Sequence, residues 1–122
     1  MLHNEVTAKI IKAFYKVHRR LGAGLLEKVY RNAMAIEVGN MGLAVEQEKN
    51  TKLFYKSVEV GDYYADMLVN NLVTAEPKAS ESLRPEHEAQ LIDYLRATDI
   101  EVGLLLNFGK KANSKGKFFR TK

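Results

Sequence analysis

Residues 102–108, Val-Gly-Leu-Leu-Leu-Asn-Phe, form a nearly unbroken apolar run of strand length. A strand without polar alternation is covered on both faces, so the chain must supply layers above and below it. Two amphipathic segments precede it. Val6, Ile10, Ala13, Phe14, Val17 and Leu21 recur at helical spacing, with Asn4 as the expected N-cap and Gly22 as the stop. Leu26, Val29, Tyr30, Ala33 and Ile36 form a second stripe, closed by Gly39 and Gly42. From Leu43 to Ala79 the period changes to two, and strands are expected near 43–48, 51–60, 63–69 and 72–78, with a turn at Asn70-Asn71. A third helix is expected over 84–98, with Pro85 early, and Phe118-Phe119 is expected to add an edge strand. Helix–helix–strands–helix–strand implies an α/β sandwich with a central mixed β-sheet flanked by helices. At 122 residues, one domain over 1–122 is expected.

The net charge of +4 is unevenly distributed. Lys110, Lys111, Lys115, Lys117, Arg120 and Lys122 make 110–122 a basic C-terminal segment without an acid, leaving 13 basic against 15 acidic residues in 1–109. Such a segment is compatible with a nucleic-acid partner, although most basic tails are simply solvated. No apolar run is long enough to span a membrane, and Met1–Ile10 has no signal-peptide character, so a cytoplasmic protein is expected. Absence of cysteine excludes disulfides, a thiol nucleophile and every cysteine-based metal site.

Asp66, Glu76 and Lys78 lie in or beside otherwise apolar strands. Burying charge is costly without a partner or a metal, and converging carboxylates make a hard oxygen site suited to Mg²⁺ or Mn²⁺. Period two places Glu76 and Lys78 on one face. Whether Asp66 joins them depends on the turn. A two-residue loop at Asn70-Asn71 pairs 66 with 75 and sends the acids to opposite faces. A three-residue loop over 69–71 pairs 66 with 74 and restores a shared face. A site here therefore requires an odd-length loop or a bulge.

These residues resemble a known family, the GxxExxY proteins of the PD-(D/E)xK nuclease-like superfamily. The signature stands as Gly24-Leu-Leu-Glu27-Lys-Val-Tyr30. The likeness continues through Ala65-Asp66, Glu76-Pro77-Lys78, His87 to Thr98 and Val102 to Phe108. The resemblance implies a restriction-endonuclease-like core. It also implies metal binding by Glu27, Asp66, Glu76 and the Pro77 carbonyl, with Asp66, Glu76 and Lys78 catalytic. Gln90 and Tyr94 match the Q-x-x-x-Y pattern of RecB-like members and would support the site from one helical face. Ala65 replaces the usual proline, and Pro77 replaces an apolar residue normally found between Glu and Lys. Pro77 keeps its carbonyl but lacks a ladder N–H, so a bulge, an unpaired strand end or a distorted strand is expected there.

The blander readings are specific. Glu27 could be a solvated helix residue, Asp66, Glu76 and Lys78 a structural ion-pair network, and Tyr94 ordinary packing. His3, His18 and His87 lack zinc spacing, and His87 reads as a surface or hydrogen-bonding residue. Ser57, Ser80, Ser82 and Ser114 lack a nucleophile motif, and Gly22-Ala-Gly24 lacks a phosphate-loop lysine. The resulting expectation is a Mg²⁺-dependent nuclease, with DNA a better candidate than RNA. The competing reading is an inactive nuclease-fold module for nucleic-acid binding or protein assembly. A homodimer would enlarge the small recognition surface in either case.

Overall fold

A computed structural model describes residues 2–118. The elements run α1 (Asn4–Leu21), α2 (Glu27–Asn40), β1 (Val45–Tyr55), β2 (Val58–Val69), β3 (Val73–Lys78), α3 (Pro85–Ala97), β4 (Val102–Phe108) and β5 (Ala112–Phe118). The five strands form one sheet in chain order. Among the described strands only β3 and β4 are parallel, joined by the α3 crossover. The remaining neighbours are antiparallel, so the sheet is mixed.

The apolar run of β4 is buried at every residue. Val102, Leu104, Leu106 and Phe108 pack with Met67, Val69, Val73 and Ala75 against α1 and α2. Leu105 and Leu68 turn the other way, toward Leu91, Tyr94 and Leu95 of α3. Gly103 lets α3 settle close: a Cβ there would stand 2.5 Å from Cδ1 of the fully buried Leu91. The helices therefore cover both faces, as the continuous run requires.

The strands expected at 43–48, 51–60 and 63–69 are instead the two long arms of one ribbon. Its turn is Lys56-Ser57, where φ is +50° and +66°, flanked by the pair Tyr55↔Val58. Positive φ at both central residues matches the right-handed twist of a hairpin. Asn50 and Asp62, which look like breaks in the pattern, are hydrogen-bonded to each other across the ribbon. The expected edge strand is longer than Phe118-Phe119, because it begins at Ala112; Phe119 lies outside the described residues. Asn4 is the first helical residue of α1 rather than its cap, and the cap position is His3. His87 Nδ1 accepts the Arg84 backbone N–H at 3.1 Å, so this histidine closes the start of α3.

Candidate active site at the β2–β3 divergence

The loop joining β2 to β3 has three residues, 70–72, one position later than the expected 69–71. Asn70 and Asn71 both adopt left-handed φ, and the Leu72 N–H bonds the Val69 carbonyl at 2.9 Å. Ala44 fixes the loop from outside: its N–H donates to Asn70 Oδ1 at 2.7 Å and its carbonyl accepts the Asn70 N–H at 2.8 Å. The resulting register is Val69↔Val73, Leu68↔Thr74 and Met67↔Ala75; continued by one step it would face Asp66 toward Glu76, rather than toward the Ala75 of a two-residue turn or the Thr74 of a loop over 69–71.

The β2–β3 ladder stops at that point, leaving Glu76, Pro77 and Lys78 without a β2 partner, while their register with β4 continues through Lys78↔Asn107. Pro77 thus sits at a strand end that is unpaired on the β2 side. The β1–β2 ladder is interrupted at the same level, between Gln47↔Met67 and Lys49↔Ala65. The skipped residue of β1 is Glu48, held at φ +52°. Ala65 packs with α3 whereas Met67 packs with α1 and α2, although alternate residues of a regular strand share a face. The chain is therefore re-aimed at Asp66, as irregular ladders do beside functional sites.

Glu76 is the most perturbed carboxyl of this group. Burial raises its pKa to about 7, Lys78 opposes the shift, and Asp66 and Glu27 add to it. Asp66 is also raised, chiefly by burial, with Lys78 and Arg31 opposing and Glu27 and Glu48 reinforcing. Glu76 Oε2 is buried and, among the described residues, has no hydrogen-bond partner. A buried, unsatisfied carboxylate oxygen beside further acids is an environment deficient in positive charge.

Glu27 is the first residue of α2, and the Gly24 and Tyr30 of the signature determine where it sits. The Tyr30 hydroxyl donates to the Gly22 carbonyl at 2.6 Å and accepts the Leu25 N–H at 3.1 Å. Its buried ring stacks on Phe108 with centroids 4.2 Å apart. Gly24 has φ +98°, which suits a residue without a side chain. Tyrosine and glycine thereby brace the loop from which Glu27 enters the helix.

The model of the PD-(D/E)XK nuclease superfamily matches residues 4–120. The chain belongs to the PD-(D/E)XK nuclease superfamily. Its mixed five-stranded sheet between helices is the restriction-endonuclease-like fold of that superfamily. The crystal structure of SSO0001 is similar, with a TM-score of 0.58 and 18% identity over 79% of this chain and 52% of that one. At that identity the likeness is one of fold, and the chain spans about half the length of SSO0001. No curated protein sequence matches. The GxxExxY likeness remains a resemblance within the superfamily.

The structure brings Asp66, Glu76, Lys78 and Glu27 into one electrostatic neighbourhood. It does not close Glu27, Asp66 and Glu76 into a ready-made metal cage: among the described residues, no three His, Asp or Glu side chains group tightly enough to hold an ion. The donor chemistry nonetheless fits a hard cation, since the acids supply oxygen and Glu76 Oε2 lacks a partner. Gln90 and Tyr94 part company. Gln90 is exposed, whereas Tyr94 is buried, with Thr51 close to its hydroxyl and Glu76 within electrostatic reach. Sequence reasoning overlooked Arg31 and Glu48, which bond at 2.9 Å and both act on Asp66. Arg31 was discoverable, lying one helical turn after Glu27; the left-handed Glu48 was not.

An open cleft of about 950 Å³ lies at the carboxyl ends of β3 and β4, immediately beyond Lys78, and is lined by Gly24, Ser80, Asn107, Lys110 and Lys111 among others. Within the basic segment, Lys110 and Lys111 are exposed beside this cleft. Lys115 and Lys117 instead hold Glu88 of α3 at 3.0 and 2.7 Å. Arg120 and Lys122 lie outside the described residues. No described helix is long and apolar enough to cross a membrane.

Proposed function

We propose that this protein hydrolyses phosphodiester bonds in nucleic acid, with DNA the favoured substrate, in a reaction dependent on Mg²⁺ or Mn²⁺. The observation that carries the reading is the buried, unpartnered Oε2 of Glu76 beside Asp66, with Lys78 as the leading cation acting on both. Asp66 and Glu76 would hold the ion, with Glu27 and the Pro77 carbonyl completing its ligands. The ion supplies Lewis-acid polarisation of the phosphoryl oxygens and the means to ionise water near neutral pH. Lys78 orients the attacking water and offsets charge building on the scissile phosphate. Arg31 limits the repulsion among the acids while the site is being loaded. Tyr94 lies within electrostatic reach of Glu76, and Gln90, exposed on α3, would meet a flanking phosphate. Lys110 and Lys111 would grip the backbone along the cleft, a contact that positions the substrate without reading its sequence. A cytoplasmic setting, where nucleic acid and magnesium are both at hand, belongs to the same reading.

The test pairs calorimetric titration with Mg²⁺ and Mn²⁺ with cleavage of single-stranded, duplex and branched DNA and RNA. Binding should disappear in Asp66→Ala and Glu76→Ala, and cleavage should fall at least 100-fold in Lys78→Ala. The absence of a preformed three-acid cluster among the described residues favours one alternative, an inactive nuclease-fold module for nucleic-acid binding or assembly. Nucleic-acid binding with no cleavage by the wild type in either metal would establish that alternative.

A further inference from the structure

The β1–β2 ribbon leaves the body of the sheet. The β2–β3 ladder begins only at Met67, so the ribbon from Lys49 to Ala65 has no third strand beside it. Its base lies against α3, where Thr51 and Tyr63 approach Tyr94 and Asp93. Beyond that contact, large apolar side chains stand in solvent: Phe54 is 57% exposed, Tyr55 64%, Val58 63% and Val60 59%, while Tyr64, at 60%, lies on the body side, paired with Asn50. Isolated two-stranded ribbons are marginal in water, and contiguous apolar patches of a few hundred Å² mark interaction sites. The outer edge of β1 is also unpaired, because β1 ends the sheet.

We propose that this edge is an interface with a second copy of the same chain, formed by antiparallel pairing of the two β1 strands across a two-fold axis. A two-fold axis makes a strand antiparallel to its own copy, so one edge serves both partners. Charge along β1 fits this pairing. Glu46, Glu48 and Lys49 precede the midpoint of β1 at Asn50, and Lys52 follows it, with Lys56 at the turn. Antiparallel self-pairing about that midpoint sets Glu48 of each strand opposite Lys52 of the other. Glu46 with Lys49 and Lys52 with Glu59 are exposed pairs of small energetic value and can be shared, and Glu48 also bonds Arg31 at 2.9 Å.

The new ladder would also bring the exposed Phe54 and Tyr55 of β1 beside the facing strand, where cross-strand side chains contact one another. Nucleic acid fits less well. Glu46, Glu48, Glu59 and Asp62 outnumber Lys49, Lys52 and Lys56 on this ribbon, leaving no positive field to attract phosphates. The inference is independent of the nuclease reading, because it requires neither a metal nor turnover.

Sedimentation equilibrium of the full chain, without divalent ions and up to about 100 μM, tests the proposal. The expected wild-type mass is twice 13.8 kDa. Phe54→Thr/Tyr55→Thr removes apolar surface while retaining strand propensity, and Lys49→Glu/Lys52→Glu sets acid against acid. Each should raise the dissociation constant at least tenfold, with circular dichroism showing the fold retained. A wild type of single-chain mass at the highest concentration overturns the proposal, as does undiminished pairing in either folded variant. A single-chain wild type whose DNA affinity falls in Phe54→Thr/Tyr55→Thr would instead assign the ribbon to nucleic acid.

Discussion

Asp66 lies where the β2–β3 ladder ends, one step beyond its last formed pair, Met67↔Ala75, and its charge raises the pKa of Glu76. Like charges in one neighbourhood repel. Burial compounds the repulsion, and both carboxyls favour the protonated form relative to water. An acid whose folded-state pKa is raised holds its proton longer in the folded state than in the unfolded one. Its stabilising effect is full at low pH and is lost as pH rises.

Metal-free protein should therefore lose stability as pH climbs from the ordinary carboxyl range through about 7, the value to which Glu76 is raised. The contribution of Glu76 is on the order of 3 kcal/mol, with Asp66 acting in the same direction. Urea unfolding at pH 5 and pH 8 in chelator should show the decline, and Glu76→Gln should flatten much of it. Equal slopes in wild type and variant would contradict the assigned cause.

Saturating Mn²⁺ should reverse that loss. A ligand at 100 times its Kd adds about 2.7 kcal/mol to a fold it binds exclusively. The melting temperature at pH 8 should rise with Mn²⁺ in wild type, rise less in Glu27→Gln at the same concentration, and not move in Asp66→Ala.

Tyr30→Phe keeps the stack on Phe108 but removes two hydrogen bonds, those with Gly22 and Leu25. The expected destabilisation is about 1–3 kcal/mol by chemical denaturation. Because those bonds brace the entry to α2, metal affinity should fall as well, although Tyr30 is not a proposed ligand.

Gly103→Ala would place a methyl within 2.5 Å of Leu91 Cδ1, in a buried contact with little room to yield. A loss of about 1–3 kcal/mol is expected. Leu91→Ala in the same background should recover part of it, which identifies the clash as the cause.

Nucleic-acid binding should depend on Lys110 and Lys111 more than on Lys115 and Lys117, which Glu88 already engages. Lys110→Ala/Lys111→Ala should reduce the slope of log affinity against log salt by about 1.8 on duplex DNA. Glu88→Gln should steepen it by releasing the other two lysines.

The layers of the fold were legible because they rest on patterns that burial enforces. The run from Val102 to Phe108 announced a doubly covered strand, and the stripes of α1 and α2 announced one of its covers. The ribbon was misread for the opposite reason. With both faces largely wet, polar Lys49, Asn50 and Asp62 no longer signal a chain break, and Lys56-Ser57 turns without asparagine or glycine. In the candidate site, the acids and Lys78 stood out because charge is conspicuous beside apolar strands. Their spatial relation was not legible, since it rests on which of three loop residues lies outside the ladder and on a left-handed Glu48. Both are tertiary choices, made by contacts such as those of Ala44 with Asn70.

The Tyr30–Phe108 stack also has a temporal consequence. Glu27, Asp66, Glu76 and Lys78 are all synthesised before Phe108, yet the ring that braces the Glu27 loop rests on that late residue. A nascent chain can hold every proposed catalytic group and still lack the support that positions one of them. The candidate site is thus set late, when β4 enters the sheet, and an unfinished chain is left without the full brace of its Glu27 loop.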